Sequence, residues 1–141
     1  MTKQEADEIA TLLNTRNQLT RTYDANTILS EFNNYLFQSE NGIVVACVEV
    51  KKVQWYQWEM CHLSVREEYT RQGRGKQLIR CAEEKARTGH ARILQCTIRV
   101  GNEASEETFR RSGFRESCCF FNAGTDNYVC VWQKVLSGDG L

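Results

Sequence analysis

The 141-residue chain contains no proline, so its turns fall to glycine, asparagine and aspartate. It has no run of about 18 apolar residues, which argues against a membrane-spanning helix. Its amino-terminal residues carry no apolar core of a secretory signal. Net charge is absent as well, with 18 basic and 18 acidic side chains. That balance is ordinary for a soluble globular protein and argues against a nucleic-acid binder whose affinity rests on excess positive charge. Metal ligands are sparse. No CxxC occurs, and Cys61 and His62 are adjacent, with His90 the only other histidine. These spacings give no zinc site. The seven cysteines, at 47, 61, 81, 96, 118, 119 and 130, are odd in number and scattered. They do not resemble a disulfide framework, and several fall within apolar patterns where a free thiol acts as a small hydrophobe. The expectation is free cysteines in a reducing cytoplasm.

The length suits one domain with a single core, residues 1–136, followed by a mobile tail at 137–141. The even charge total hides an asymmetry. Residues 1–50 carry three basic and seven acidic side chains, whereas residues 65–92 carry eight basic and four acidic. The basic block suits an anionic ligand, and the acidic first third suits a cationic one; solvated charge is the alternative for both.

Thr2 followed by Glu5 forms a capping-box pattern, and Ala6, Ile9, Ala10 and Leu13 recur at helical spacing. The first helix is expected over 3–14. Asp24 to Thr27 caps a second helix, with Ile28, Leu29, Phe32, Tyr35 and Leu36 on one face. Asn41-Gly42 is a two-residue hairpin signal joining a short strand near 35–39 to a strand at 43–50. Lys51-Lys52 is expected to turn the chain into a third strand near 53–65. A helix over 74–88, a strand at 91–99, a short helix capped by Asn102 and two strands at 114–121 and 127–135 complete the pattern. The order predicts a mixed α/β domain on a central sheet, with a parallel crossover across 53–99.

The most informative stretch is Tyr69-Thr70-Arg71-Gln72-Gly73-Arg74-Gly75-Lys76, between a strand and an amphipathic helix. Two glycines one residue apart allow a tight turn and a close ligand approach. The helix that follows aims its unpaired N–H groups and positive dipole end at that turn, which makes a phosphate cradle. It is not a Walker loop, because Gln77 follows Gly75-Lys76 and Thr70 replaces the first glycine. It is not a dinucleotide fingerprint either, because Leu78 stands where a third glycine belongs. A tight strand-to-helix turn without a ligand is the alternative.

Glu59, Leu63-Ser64-Val65, Gly73-x-Gly75, Asn102, Phe109 and Gly113-Phe114 then fall in a familiar order. From about Lys52 to Lys134 the chain resembles the GNAT superfamily of N-acetyltransferases. The resemblance implies a central mixed, mostly antiparallel sheet with a parallel, splayed strand pair, flanked by about four helices. It implies an enzyme that moves an acetyl group from acetyl-CoA to a primary amine of a small molecule or peptide. On the [RQ]-x-x-G-x-[GA] pattern, Gln72, Gly73, Arg74, Gly75 and Lys76 would donate backbone N–H groups to the cofactor pyrophosphate, with Arg71 adding charge. Thr70 departs from the leading Arg or Gln, and its hydroxyl is the remaining donor there. Leu63 and Val65 would lie on the splayed strand, where main-chain groups pair with the pantetheine arm and polarise the thioester carbonyl. Asn102 would contact the pantetheine region, with Ser105 at a position that is usually small.

The resemblance also implies chemistry. Glu59 stands where many members keep a general base for the attacking amine, with a strand glutamate facing solvent as the alternative. His62, on the same strand, would relay a proton or serve structure. Phe109 replaces the tyrosine that usually protonates the departing thiolate, and phenylalanine has no proton to give. Water, Ser105 or Cys61 would have to substitute; otherwise the domain binds acyl-CoA as a sensor or regulatory module. Trp55, Tyr56 and Trp58 are expected in the core, with one able to face the acceptor pocket. The family usually begins with a strand before the first helix, and this chain starts in the helix. Either the sheet lacks that strand or a partner covers the edge, as in a homodimer.

Overall fold

The structure, a computed structural model, describes residues 1–17, 19 and 21–136. The expected tail at 137–141 lies outside the described residues. Helix α1 (Lys3–Arg16) begins with the capping box: Thr2 Oγ1 accepts the Glu5 N–H at 3.1 Å and the Glu5 carboxylate accepts the Thr2 N–H at 2.7 Å. It runs two residues beyond the sequence expectation and buries Ala6, Ile9, Ala10, Leu12 and Leu13. Helix α2 (Ala25–Ser30), capped by Asp24, is much shorter than its apolar spacing suggested. A single 3-10 turn at Phe32–Asn34 follows, and Tyr35 and Leu36 belong to strand β1 (Tyr35–Glu40), leaving Phe32 exposed. Pairing with the next strand overrides the helical spacing of those residues.

Asn41 and Gly42 both have positive φ, 54° and 78°, and close the hairpin to β2 (Ile43–Gln54). Strand β3 spans Gln57–Val65. The chain reverses at Trp55-Tyr56 rather than at Lys51-Lys52, because both lysines have cross-strand partners: Lys51 faces Glu59 and Lys52 faces Trp58. Trp55 is therefore on an exposed turn, contrary to its expected core position, under the Arg92 guanidinium. Trp58 does pack on the core. It lies against the end of helix α3 (Arg74–Thr88), so closely that a Cβ on the terminal Gly89 would come 2.3 Å from Trp58 Cζ2.

Strand β4 (Ile93–Arg99), helix α4 (Glu103–Arg111) and strands β5 (Arg115–Asn122) and β6 (Asn127–Val135) complete the fold. The six strands are ordered β1-β2-β3-β4-β6-β5, and all pairs are antiparallel except β3–β4. This is the mixed α/β architecture expected, with four helices around one mixed sheet. Helices α1 and α2 cover one face with Ile9, Leu13, Ile28 and Tyr23 against Val44 and Cys47. The other face carries Val48, Val50, Met60, Leu94, Cys96 and Ile98 beneath Leu78, Ile79, Ala82 and Phe109. Each such fully buried aliphatic side chain contributes roughly 1.5–3 kcal/mol.

The cysteines depart from expectation in one place. Cys119 and Cys130 face each other across β5 and β6 and form a disulfide. Hairpin register brings them together, which their separation along the chain does not reveal. The other five remain free. No helix among the described residues is long and apolar enough to cross a membrane.

Candidate functional site

Strands β3 and β4 run together for only three rungs: Gln57 opposite Ile93, Trp58 opposite Leu94 and Glu59 opposite Gln95. Beyond Glu59, β3 has no partner on that side. The separation has a local cause. The β2–β3 register shifts between the Glu49–Cys61 and Cys47–Ser64 pairs, and His62 sits in this bulge with φ 56°. A bulge bends its strand and re-aims its side chains. Ser64 fixes the bend: its buried hydroxyl donates to the His62 carbonyl at 2.8 Å and accepts from Asn17 Nδ2 at 2.7 Å.

The splay opens a cleft of about 610 Å³. Its walls include Glu59, Cys61, His62 and Leu63 from β3 and Asn102, Ser105 and Phe109 from the α4 segment. The end of α1 supplies Arg16 and Asn17, and the β5–β6 hairpin supplies Asn122 and Thr125. None of Trp55, Tyr56 and Trp58 lines it, so the aromatic wall entertained from the sequence is not there. None of the seven acidic residues of the first third lines it either, and one of the three basic side chains of that segment, Arg16, does.

The glycine turn lies beside the cleft. Gly73, with φ 77°, is the N-cap of α3 and carries no side-chain cap, and the first turn holds no acidic residue. The first intrahelical bond runs from Gln77 N–H to the Gly73 carbonyl at 3.0 Å, so the N–H groups of Arg74, Gly75 and Lys76 have no intrahelical acceptor. Nothing lies within 4 Å of a Cβ built on Gly73, leaving open space before the helix end. Gly75 ties the turn to the splayed strand: a Cβ there would sit 3.7 Å from Leu63 Cδ2 and 4.0 Å from Val65 Cγ2. Leu63 thus belongs both to the cleft wall and to the floor of the turn. Arg71, Gln72 and Lys76 are exposed around it. Open N–H groups, positive charge and free space fit a pyrophosphate.

Two side chains at the turn are already engaged. The Arg74 guanidinium pairs with Glu40, donates to Gln38 Oε1 at 3.3 Å and lies over the Tyr69 ring, so at this turn Arg74 offers its backbone rather than its side chain. The Thr70 hydroxyl donates to the Glu67 carbonyl at 2.8 Å, so the donor expected to replace the usual Arg or Gln is spent within the loop.

The electrostatics on the β3 side are set by burial. Glu59 and Lys51 share a rung of β2–β3. Burial pushes the Cys61 thiol up to about 12, with the Glu59 carboxylate adding to the effect. A thiol held that high is a weaker acid than a phenol of ordinary pKa about 10, which makes Cys61 a poor substitute proton donor. His62 is lowered from its ordinary value, first by burial and then by Lys51 and Arg21, so its ring is neutral at neutral pH. The ring lies edge-on to Tyr23 at 5.9 Å. Phe109 is buried in the cleft floor against Phe114, 5.1 Å away edge-on, and supplies no polar group. Asn102, in the cleft lining, caps α4 through Oδ1, which accepts the Ser105 N–H at 3.4 Å, and its amide NH₂ has no bonded partner among the described residues.

Glu59, Cys61, His62, Leu63, Asn102, Ser105 and Phe109 line the cleft, Val65 lies under Gly75 of the adjoining turn, and Trp55, Tyr56 and Trp58 lie outside both. The sequence reading did not reach Arg16, Arg99 or the Asn17–Ser64 bond, because no local pattern joins a helix end to a strand 47 positions away.

The model of the acetyltransferase (GNAT) family matches residues 4–114. Among solved structures, the yncA putative acetyltransferase from Salmonella typhimurium, with its cofactor acetyl-CoA, superposes with TM-score 0.84 at 18% identity, covering 100% of this chain and 94% of that one. A ribosomal-protein-alanine N-acetyltransferase from Brucella melitensis gives 0.81 at 18% identity, covering 96% of each chain. A GNAT family acetyltransferase from Elizabethkingia anophelis with acetyl-CoA bound gives 0.71 at 14% identity, covering 89% and 88%. No curated protein sequence matches. The chain belongs to the acetyltransferase (GNAT) family.

Proposed function

We propose that this family member transfers an acetyl group from acetyl-CoA to a primary amine that enters the cleft beside Glu59. The observation that carries this reading is the placement of an uncapped helix end, at Gly73, against a strand that leaves its neighbour directly after a carboxylate, at Glu59. The thioester supplies an activated acetyl group. The backbone of Gln72 to Lys76 would hold its pyrophosphate, with Arg71 adding charge. Leu63 and Val65 would offer main-chain groups along the splay, and one N–H there would stabilise the oxyanion. Asn102 would donate its free amide to the pantetheine arm, and Phe109 would pack against that arm.

Glu59 would take the proton of the amine, directly or through a water. The departing thiolate would take its proton from water or from Ser105, which lines the cleft, since Phe109 has none and Cys61 is held high. A thiol of ordinary pKa near 8.5 tolerates this.

The burial of Phe109 favours one second reading, a module that binds acyl-CoA and turns it over weakly or not at all. A single experiment separates the two. Purified protein is given acetyl-CoA and a panel of polyamines, amino acids, aminoglycosides and peptides, and free thiol is followed. Thiol release with at least one amine establishes the transferase. Cofactor binding with no release across the panel establishes the module.

A further inference from the structure

The cleft carries an unneutralised positive rim. Along β4 the side chains alternate. Leu94, Cys96 and Ile98 enter the core beneath α3 and α4. Gln95, Thr97 and Arg99 therefore take the opposite face, the one that bears Glu59, since Glu59 and Gln95 share a rung. Arg99 stands four residues beyond that rung, at the open end of the splay, and lines the cleft. Arg16 reaches the same cleft from the last turn of α1. Neither arginine pairs with a carboxylate among the described residues. Glu59 is the only carboxylate among the described residues lining the cleft.

A simple amine cation gains nothing from two guanidinium groups, and their field opposes its approach. An amine that also carries an anionic group gains at both ends. Its ammonium lies toward Glu59, and its acid is met by planar donors suited to carboxylate and phosphate.

We infer that the acceptor is an amine bearing its own acidic group, a carboxylate or a phosphate, held by Arg16 and Arg99 while the amine faces Glu59. The inference rests on the transferase reading for the identity of the reacting group, but the recognition itself is a binding property and is tested separately.

The test compares matched amines. Phenylalanine is set against phenylalaninamide and phenethylamine, and phosphoethanolamine against ethanolamine, with thiol release followed for the native protein and for an Arg16→Gln/Arg99→Gln variant. The same compounds are titrated calorimetrically into each protein with coenzyme A present. Both arginines are exposed, and a melting curve checks that the variant is folded. The native protein is expected to favour at least one acidic member over its neutral partner by about 10-fold or more, the scale of a charge-assisted hydrogen bond. The variant is expected to lose that preference through a higher KM for the acidic members, while the amines without an acid bind as well or better once the opposing field is gone. The two pairs show whether carboxylate or phosphate is the better anion.

Equal use of acidic and neutral amines overturns the inference, as does a preference that survives in the variant; in both cases transfer itself still stands. Absence of thiol release combined with arginine-dependent binding of an acidic amine overturns the transferase reading and keeps this one. Absence of both release and binding overturns both.

Discussion

Glu59 and Gln95 form the last rung of the parallel β3–β4 pair, and the sheet opens directly beyond them. The Gln95 Oε1 already accepts from the Gln57 side-chain amide and from Gln133 Nε2 at 3.1 Å, so the Gln95 side chain belongs to a glutamine ladder. Glu59 is placed at the cleft by this last strand rung rather than by a loop. This is where a group that must meet a substrate proton gains most from preorganisation.

Replacing Glu59 by Gln keeps the shape and removes the proposed proton acceptor. Turnover at neutral pH is expected to fall ~100-fold or more, the scale for losing a general base, with acetyl-CoA binding retained. Thiol release across a pH series checks this. An unchanged rate and profile would assign the proton to another group, with neutral His62 an alternative in the cleft.

Phe109→Tyr returns a phenolic proton to the cleft floor. If loss of the thiolate limits the rate, turnover should rise several-fold without a change in the affinity for acetyl-CoA. The added hydroxyl enters a buried position and costs about 1–3 kcal/mol if it finds no partner there. Melting temperature is therefore measured alongside the rate. A stable variant with an unchanged rate would show that no side-chain acid is needed.

The two glycines of the cradle should respond differently. Gly73 has φ 77°, so alanine there adds strain of roughly 1–2 kcal/mol and sets a methyl group into the open space before the helix end. Gly73→Ala is expected to weaken acetyl-CoA binding about 10-fold or more. Gly75 has an ordinary φ, and its new methyl would make van der Waals contact with Leu63 and Val65. Gly75→Ala should leave stability within about 0.5 kcal/mol. Calorimetric titration with acetyl-CoA and thermal melts distinguish the pair.

Glu49 gives a pH dependence of stability. It is buried on β2, and burial raises its pKa above the ordinary carboxylate value, assisted by Glu31 and opposed by Lys51 and Arg21. In the unfolded chain the carboxyl ionises near pH ~4.3. The folded state holds the proton to higher pH, so stability is fully present below that value and is lost as pH rises through the folded pKa. Glu49→Gln removes the loss. Its melting temperature should exceed that of the native protein by a few degrees at pH ~8 and by less at pH ~4.5. An equal offset at both values would mean that Glu49 does not titrate in this way.

Much of the site was legible locally. The capping box at Thr2, the hairpin at Asn41-Gly42 and the turn at Gly73-Arg74-Gly75 are written in adjacent residues, because caps and positive-φ turns depend on a few neighbouring side chains. Helix α3 appears at its expected bounds because its apolar face and its glycine ends agree. The readings that failed depended on pairing. The helix face over Tyr35 and Leu36 gives way to the strand also expected near 35–39, Lys51 and Lys52 look like a turn yet have cross-strand partners, and Cys119 meets Cys130 only through hairpin register.

The sequence by itself determined the cradle, the order of elements and the family to which they point, since each rests on residue type at fixed short spacing. Only the tertiary structure decided what surrounds the reacting groups. It showed that the sheet parts immediately after Glu59, that Thr70 spends its hydroxyl on Glu67 and that Arg16 and Arg99 face the same cleft. Such facts depend on which distant strands and helix ends come together, and burial and charge in a cleft are properties of that assembly rather than of any segment within it.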